Sequence, residues 1–184
     1  MLNWLSWLVG RVWMLVMGLS LGGCLLAPQV PEERIAQALK LVDQGAVHLR
    51  MGKLQEASTA FSLAAELAPL AAAVDGQGCV ALLQGDFSRA ENLFTKAYQM
   101  DNSYDEVLAN LALLKDILGQ KEKAKDLYNQ SVKLMPASVP PRNNKAVLEY
   151  EQGQRKIEVL EELEKAGLIA EHGVVSENVA RLKR

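Results

Sequence analysis

Four glycines recur at nearly equal intervals: Gly52, Gly85, Gly119 and Gly153, separated by 33, 34 and 34 residues. The pattern around them recurs too. Five residues after each of the first three stands an alanine, Ala57, Ala90 or Ala124. Four further on comes an aromatic, Phe61, Phe94 or Tyr128, and three beyond that a small residue, Ala64, Ala97 or Ser131. Self-similarity of this length means stacked supersecondary units, each of which buries its apolar face only against its neighbours.

Each unit reads as two helices joined at the glycine. In the first, Ala38–Arg50 and Leu54–Leu67 are the expected helices. Gly52 suits the turn because glycine takes positive φ without a Cβ clash. Ala57, Phe61 and Ala64 follow spacings of four and three and share one helix face, where small residues permit close approach and the ring fills the gap between units. Pro69 and Pro136 close units one and three, since proline cannot continue a helix. Asn102 takes that place in unit two.

On these residues the chain resembles the tetratricopeptide repeat family over about Ala38 to Gly153. Gly45, Gly78, Ala112 and Ala146 match the family's small residue in the first helix, and Leu111 matches the large apolar residue before it. Gln44, Gln77 and Lys145 depart from it, and Leu41, Val74, Leu108 and Arg142 replace the family's early tryptophan. The resemblance implies an all-α solenoid of antiparallel helix pairs. The expected repeats are 38–70, 71–104, 105–138 and a degenerate 139–167, with a cap over 168–184. In the fourth, the small and aromatic positions fall on Glu158 and Glu162, while Ile157, Leu160 and Leu163 form an apolar stripe. Ser176 is expected to N-cap a last helix ending at Arg184.

Residues 1–24 stand apart. Arg11 precedes the apolar run Val12–Leu21, a cationic head and core of signal-peptide length, with Trp4 and Trp7 ahead of it. Leu21-Gly22-Gly23-Cys24 then resembles the lipobox of bacterial lipoproteins. That resemblance implies a signal peptide over 1–23, a diacylated and N-acylated Cys24 (palmitate among its acyl chains), and a lipidated tether over 24–30 before a repeat domain over 31–184. Leu25 after the cysteine, in place of aspartate, implies transfer to the outer membrane, facing the periplasm. Two rivals stay open: an uncleaved anchor over 2–21, opposed by Arg11 at roughly 2.5–3.5 kcal/mol, and a signal peptide with a free cysteine. Pro31, Glu32 and Glu33 read as a first helical turn.

The net charge is −2, and no basic stripe marks a nucleic-acid surface. Arg181, Lys183 and Arg184 read as a solvated end. With Cys24 acylated, Cys79 has no disulfide partner within the chain, and burial is its expected role, with exposure on the concave face or intermolecular pairing as the alternatives. His48 and His172 lack a second ligand at metal spacing, so no metal or cofactor is expected. Neither a catalytic triad nor a phosphate loop is legible, and Glu158, Glu161, Glu162 and Glu164 read as a solvated face; the chain is not expected to be an enzyme.

In the family, first helices line a concave groove. Carried over, the positions in unit one are Leu39, Val42, Ala46, Leu49 and Arg50; in unit two, Ala72, Asp75, Cys79, Leu82 and Leu83. Unit three supplies Glu106, Ala109, Leu113, Asp116 and Ile117, and unit four Asn143, Val147, Tyr150 and Glu151. Asn110 and Asn144 adjoin them as candidate holders of a peptide backbone. Leu82, Leu113 and Val147 suggest an apolar strip. The lysine–asparagine arrangement with which some members clamp a terminal carboxylate is missing, and an amphipathic helix or apolar peptide is the favoured occupant. The chain's own residues 168–184 are the alternative occupant. Small lipoproteins of this architecture resemble assembly and pilot proteins of pili and secretion systems, which implies a secretin or pilus component as partner. A scaffold for envelope enzymes or outer-membrane assembly machinery is the alternative.

Overall fold

The protein's structure is a computed structural model that describes residues 30–169 and 173–184; the side chains of 166–169, 173 and 174 are outside the description. The signal segment, the lipobox with Cys24, the tether as far as residue 29, and His172 therefore lie outside the described residues. Residues 32–184 form one compact unit. Among the described residues nine helices follow one another: α1 Glu32–Arg50, α2 Leu54–Leu67, α3 Ala71–Leu83, α4 Phe87–Met100, α5 Asp105–Ile117, α6 Lys121–Leu134, α7 Val139–Glu151, α8 Lys156–Ile169 and α9 Gly173–Lys183. No described helix is long and apolar enough to cross a membrane.

The four glycines are the described residues with positive φ, at 71°, 79°, 72° and 89°. Each ends a first helix in the same way. Gly52 N–H donates to the Leu49 carbonyl and Lys53 N–H to the His48 carbonyl, both at 2.9 Å. Gly85, Gly119 and Gly153 repeat this pair of bonds with their following residues. Two otherwise orphaned carbonyls per helix are thereby satisfied at a backbone conformation that a Cβ would strain.

The repeat face packs as its spacing predicts. Ala57, Phe61, Ala64, Ala90, Phe94, Ala97, Ala124, Tyr128 and Ser131 are all buried. The rings lie where the facing first helices have no side chain. A Cβ on Gly45 would meet the Phe61 ring at 2.7 Å, one on Gly76 would meet it at 2.3 Å, and one on Gly78 would meet Phe94 at 2.5 Å. Phe61 thus joins the first helix of its own unit to that of the next.

Three expectations are corrected. Helix α1 begins at Glu32, not Ala38: the helical turn expected at Pro31, Glu32 and Glu33 and the helix expected over Ala38–Arg50 are one continuous element, with Glu32 and Glu33 at the positive end of its dipole. Helix α9 begins at Gly173, so Ser176 is an interior residue and not its N-cap. The third concerns register in unit four. Backbone bonds run from Ala57 to Lys53, Ala90 to Asp86 and Ala124 to Gln120, and the corresponding bond runs from Val159 to Arg155. Arg155 lengthens the turn by one residue, so α8 starts three residues after its glycine, not two. Val159 and Leu163, not Glu158 and Glu162, occupy the small and aromatic places, 1% and 0% exposed. Ile157 leaves the apolar stripe and is 62% exposed.

Helices α3, α5, α7 and α9 start 34 residues apart. Ala73, Val107, Pro141 and Val175 are buried in their first turns, and Val80, Leu114, Leu148 and Leu182 further along. The C-terminal helix therefore has the register of one more first helix. Val175 and Leu182 pack with Val139, Ala146, Val159 and Leu163, and Asn178 Nδ2 donates to Asn143 Oδ1 at 2.9 Å.

Candidate protein-binding groove

The first helices α1, α3, α5 and α7 touch in succession and line a cavity of about 510 Å³. Nine of the expected groove residues meet there: Val42, Ala46, Leu49, Ala72, Asp75, Cys79, Glu106, Ala109 and Asn110. The cavity is not lined by residues of α9, so the described part of the C-terminal segment caps unit four and does not cover this groove.

The remaining expected residues fall elsewhere. Leu39, Arg50, Leu83, Ile117, Tyr150 and Glu151 are exposed outside this cavity. Leu113, Asp116, Asn144 and Val147 are half-buried outside it. Leu82 is half-buried against the core of Val74, Phe94 and Leu111, so the strip expected through Leu82, Leu113 and Val147 does not line the cavity. Asn143 is buried, donating to Asn144 Oδ1 at 3.2 Å and accepting from Asn178. Asp116 and Glu151 both pair with Lys121.

The floor of the cavity is a polar cluster. Asp75 is buried in α3, at 5% exposure. Asn110 Nδ2 donates to Asp75 Oδ1 and Oδ2, both at 3.0 Å, and approaches Cys79 Sγ at 3.4 Å. Asn110 therefore ties α5 to α3, as Asn178 ties α9 to α7. The Tyr104 hydroxyl donates to Glu106. Burial pushes the Asp75 carboxyl up from its ordinary 3.8 to about 7; the Asn110 bond opposes this and the Glu106 charge adds to it. Burial, then the Asp75 and Glu106 charges, also raise the Cys79 thiol. Burial raises the Tyr104 phenol, with the Asp75 charge adding to it.

Cys79 combines the two roles expected of it: it is half-buried, packs against the core of Val74, Phe94 and Leu111, lines the groove and approaches the Asn110 amide. His48 is half-buried in α1, and no described hydrogen-bond partner reaches its Nδ1. No group of three or more acidic, histidine or cysteine side chains suited to a metal ion occurs among the described residues.

Several lining residues escaped the sequence reading. Tyr104, Ser138, Pro140 and Pro141 come from the turns between units and the first turn of α7. The positions carried over lay within the helices and began at Asn143 in unit four, so they did not include these residues. Phe61 and Gly76 line the cavity together, because the missing side chain at Gly76 opens a view of the ring. Asp43 lies one position from Val42 on the exposed side of α1.

Residues 81–141 match the family model described as tetratricopeptide repeat. No curated protein sequence matches the chain. Among solved structures, it is similar to a chain of the APC/C hetero-tetramer Cut9–Hcn1, with a TM-score of 0.65 and 18% identity, over 80% of this chain and 30% of that one. It thus spans less than a third of that relative's length. It is also similar to PilF of Pseudomonas aeruginosa, with a TM-score of 0.68 and 19% identity, over 82% of this chain and 69% of that one. A third likeness is to the first tetratricopeptide repeat domain of Spaghetti (RPAP3) bound to the HSP90 peptide SRMEEVD, with a TM-score of 0.55 and 19% identity, over 65% of this chain and 96% of that one. Identities this low speak for the fold alone. Helix pairing, glycine turns and ring positions in this chain point the same way: the described residues form an all-α tetratricopeptide-repeat solenoid, a fold that typically serves as a non-enzymatic scaffold for contacts between proteins.

Proposed function

We propose that this protein is an outer-membrane lipoprotein, anchored through Cys24 on the periplasmic face, that acts as a non-enzymatic assembly factor for a pilus or secretion system. The observation that carries the reading is the open cavity on the first-helix face of the solenoid, with apolar walls and a polar floor. The RPAP3 domain in complex with an HSP90 peptide supports short segments as ligands of this fold. The lipobox-like Leu21-Gly22-Gly23-Cys24 supports the address. Several acyl chains, at about 0.8 kcal/mol per buried methylene, anchor stably. Six extended tether residues after Cys24 span at most about 20 Å, which holds the groove near the bilayer.

The test is affinity capture of the lipidated protein from cells, followed by mass spectrometry. A secretin or pilus component should be recovered by the wild type. The groove-filling variant Ala109→Trp should lose it while keeping its helical circular dichroism. Recovery of peptidoglycan enzymes or outer-membrane assembly machinery would favour the scaffold reading. Equal recovery by wild type and variant would remove the groove from the function.

A further inference from the structure

The cavity's chemistry narrows the kind of segment it accepts, and this step rests on the groove reading above. Apolar walls are supplied by Val42, Ala46 and Leu49 of α1, by Ala109 of α5, and by Pro140 and Pro141. The charged side chains in the lining are Asp43, Asp75 and Glu106, all acidic, with no lysine or arginine among them. No ion pair among the described residues engages any of the three. Their hydrogen-bond donors are neutral: the Asn110 amide for Asp75 and the Tyr104 hydroxyl for Glu106. Other carboxylates on the same solenoid do have cations. Glu149, similarly buried, takes Lys145 at 3.1 Å and Lys125 at 3.5 Å, and Asp116 takes Lys121.

Asp75 is withdrawn from water without a counter-charge, while Glu106 and Asp43 beside it are exposed. A buried carboxylate without a charged partner is in a costly state, and a cation delivered to it recovers much of that loss. We propose that the cavity binds an apolar segment of a partner protein that carries one lysine or arginine, its apolar side chains against α1 and the prolines and its cation against Asp75 and Glu106. The same charges reject an acidic segment, because a partner carboxylate would meet like charges with the buried Asp75 at their centre. The peptide SRMEEVD sets one arginine against two glutamates and an aspartate, so its side chains are net acidic and it is a ligand of the wrong sign.

The test uses full-length protein in detergent as bait for a random dodecapeptide display library at pH 8. The selected peptides are then synthesised with a fluorophore and titrated by anisotropy. Selected peptides should combine apolar residues with lysine or arginine. They should bind at least tenfold more weakly to the Asp75→Asn/Glu106→Gln double variant, and SRMEEVD should not bind the wild type. Selection of peptides without a cation, or equal binding by wild type and double variant, would overturn this inference and leave the groove reading standing. Failure to select any peptide, or selection of peptides indifferent to Ala109→Trp, would overturn both.

Discussion

Asn110 donates its side-chain amide to both carboxylate oxygens of Asp75, at 3.0 Å each, joining the first helices of units two and three across the floor of the groove. The bond stabilises the ionised form of Asp75 but does not offset burial, so the carboxyl stands at about 7 instead of 3.8.

That shift has a defined sign. Between pH 4 and pH 7 the folded chain keeps the Asp75 proton that the unfolded chain has released. Stability from this group is full below the unfolded value and is lost as pH rises to the folded one. About three pKa units correspond to about 4 kcal/mol. Denaturant melts should therefore show the wild type losing stability across this window relative to Asp75→Asn, with a constant difference above pH 7. A difference independent of pH would show that Asp75 ionises normally in the fold.

Unit four tests the register. Leu163 occupies the place that Phe61, Phe94 and Tyr128 hold in the earlier units, and Glu162 beside it is partly exposed. Leu163→Ala should cost about 2–5 kcal/mol, the usual range for a leucine truncated in a core. Glu162→Ala should cost under about 0.5 kcal/mol, since its pairs with Lys165 and Arg142 lie at the surface. Comparable losses in urea melts would contradict the one-residue shift at Arg155.

Gly76 tests the contact between units one and two. A methyl there would lie 2.3 Å from the Phe61 ring, and the ring is held on its other side by Gly45. Gly76→Ala should destabilise by about 1–3 kcal/mol, as overpacking does, despite alanine's better helix propensity. A stabilised variant in thermal melts would mean that the ring moves aside freely.

The anchor is tested chemically. Labelled palmitate should enter the wild type and not Cys24→Ala, and the variant should leave the outer-membrane fraction or remain unprocessed. Equal labelling of both proteins would remove the lipoprotein reading.

Much of the fold was legible because its determinants are local and repeat. Glycine at each turn, alanine and a ring at spacings of four and three, and proline two residues past α2 and α6 each encode one structural step. Register in unit four was not legible, because a single added residue, Arg155, moves two glutamates into the positions where the period expects Ala and an aromatic. The apolar pair Val159 and Leu163 keeps the spacing of four and carries the corrected register. The groove was only half legible. First-helix positions found Val42, Ala46, Asp75 and Ala109, but Tyr104 and Ser138 depend on how adjacent units stack, and Phe61 is visible only through the gap left by Gly76. Asparagines 110, 144 and 178 recur at intervals of 34, yet the amides of Asn110 and Asn178 bond to first helices of this chain, where a peptide-backbone role had been expected of Asn110.

The central claim is that the first-helix groove holds the partner, and site-specific photo-crosslinking in cells tests it most directly. A benzophenone amino acid placed at Ala46 or Ala109, both in the cavity lining, should give a covalent adduct with one partner protein. The same group at Lys123 or Asn129, exposed on the second-helix face in α6, should give none. Adducts from α6 with none from Ala46 or Ala109 would contradict the claim and place the binding surface on the opposite side of the solenoid.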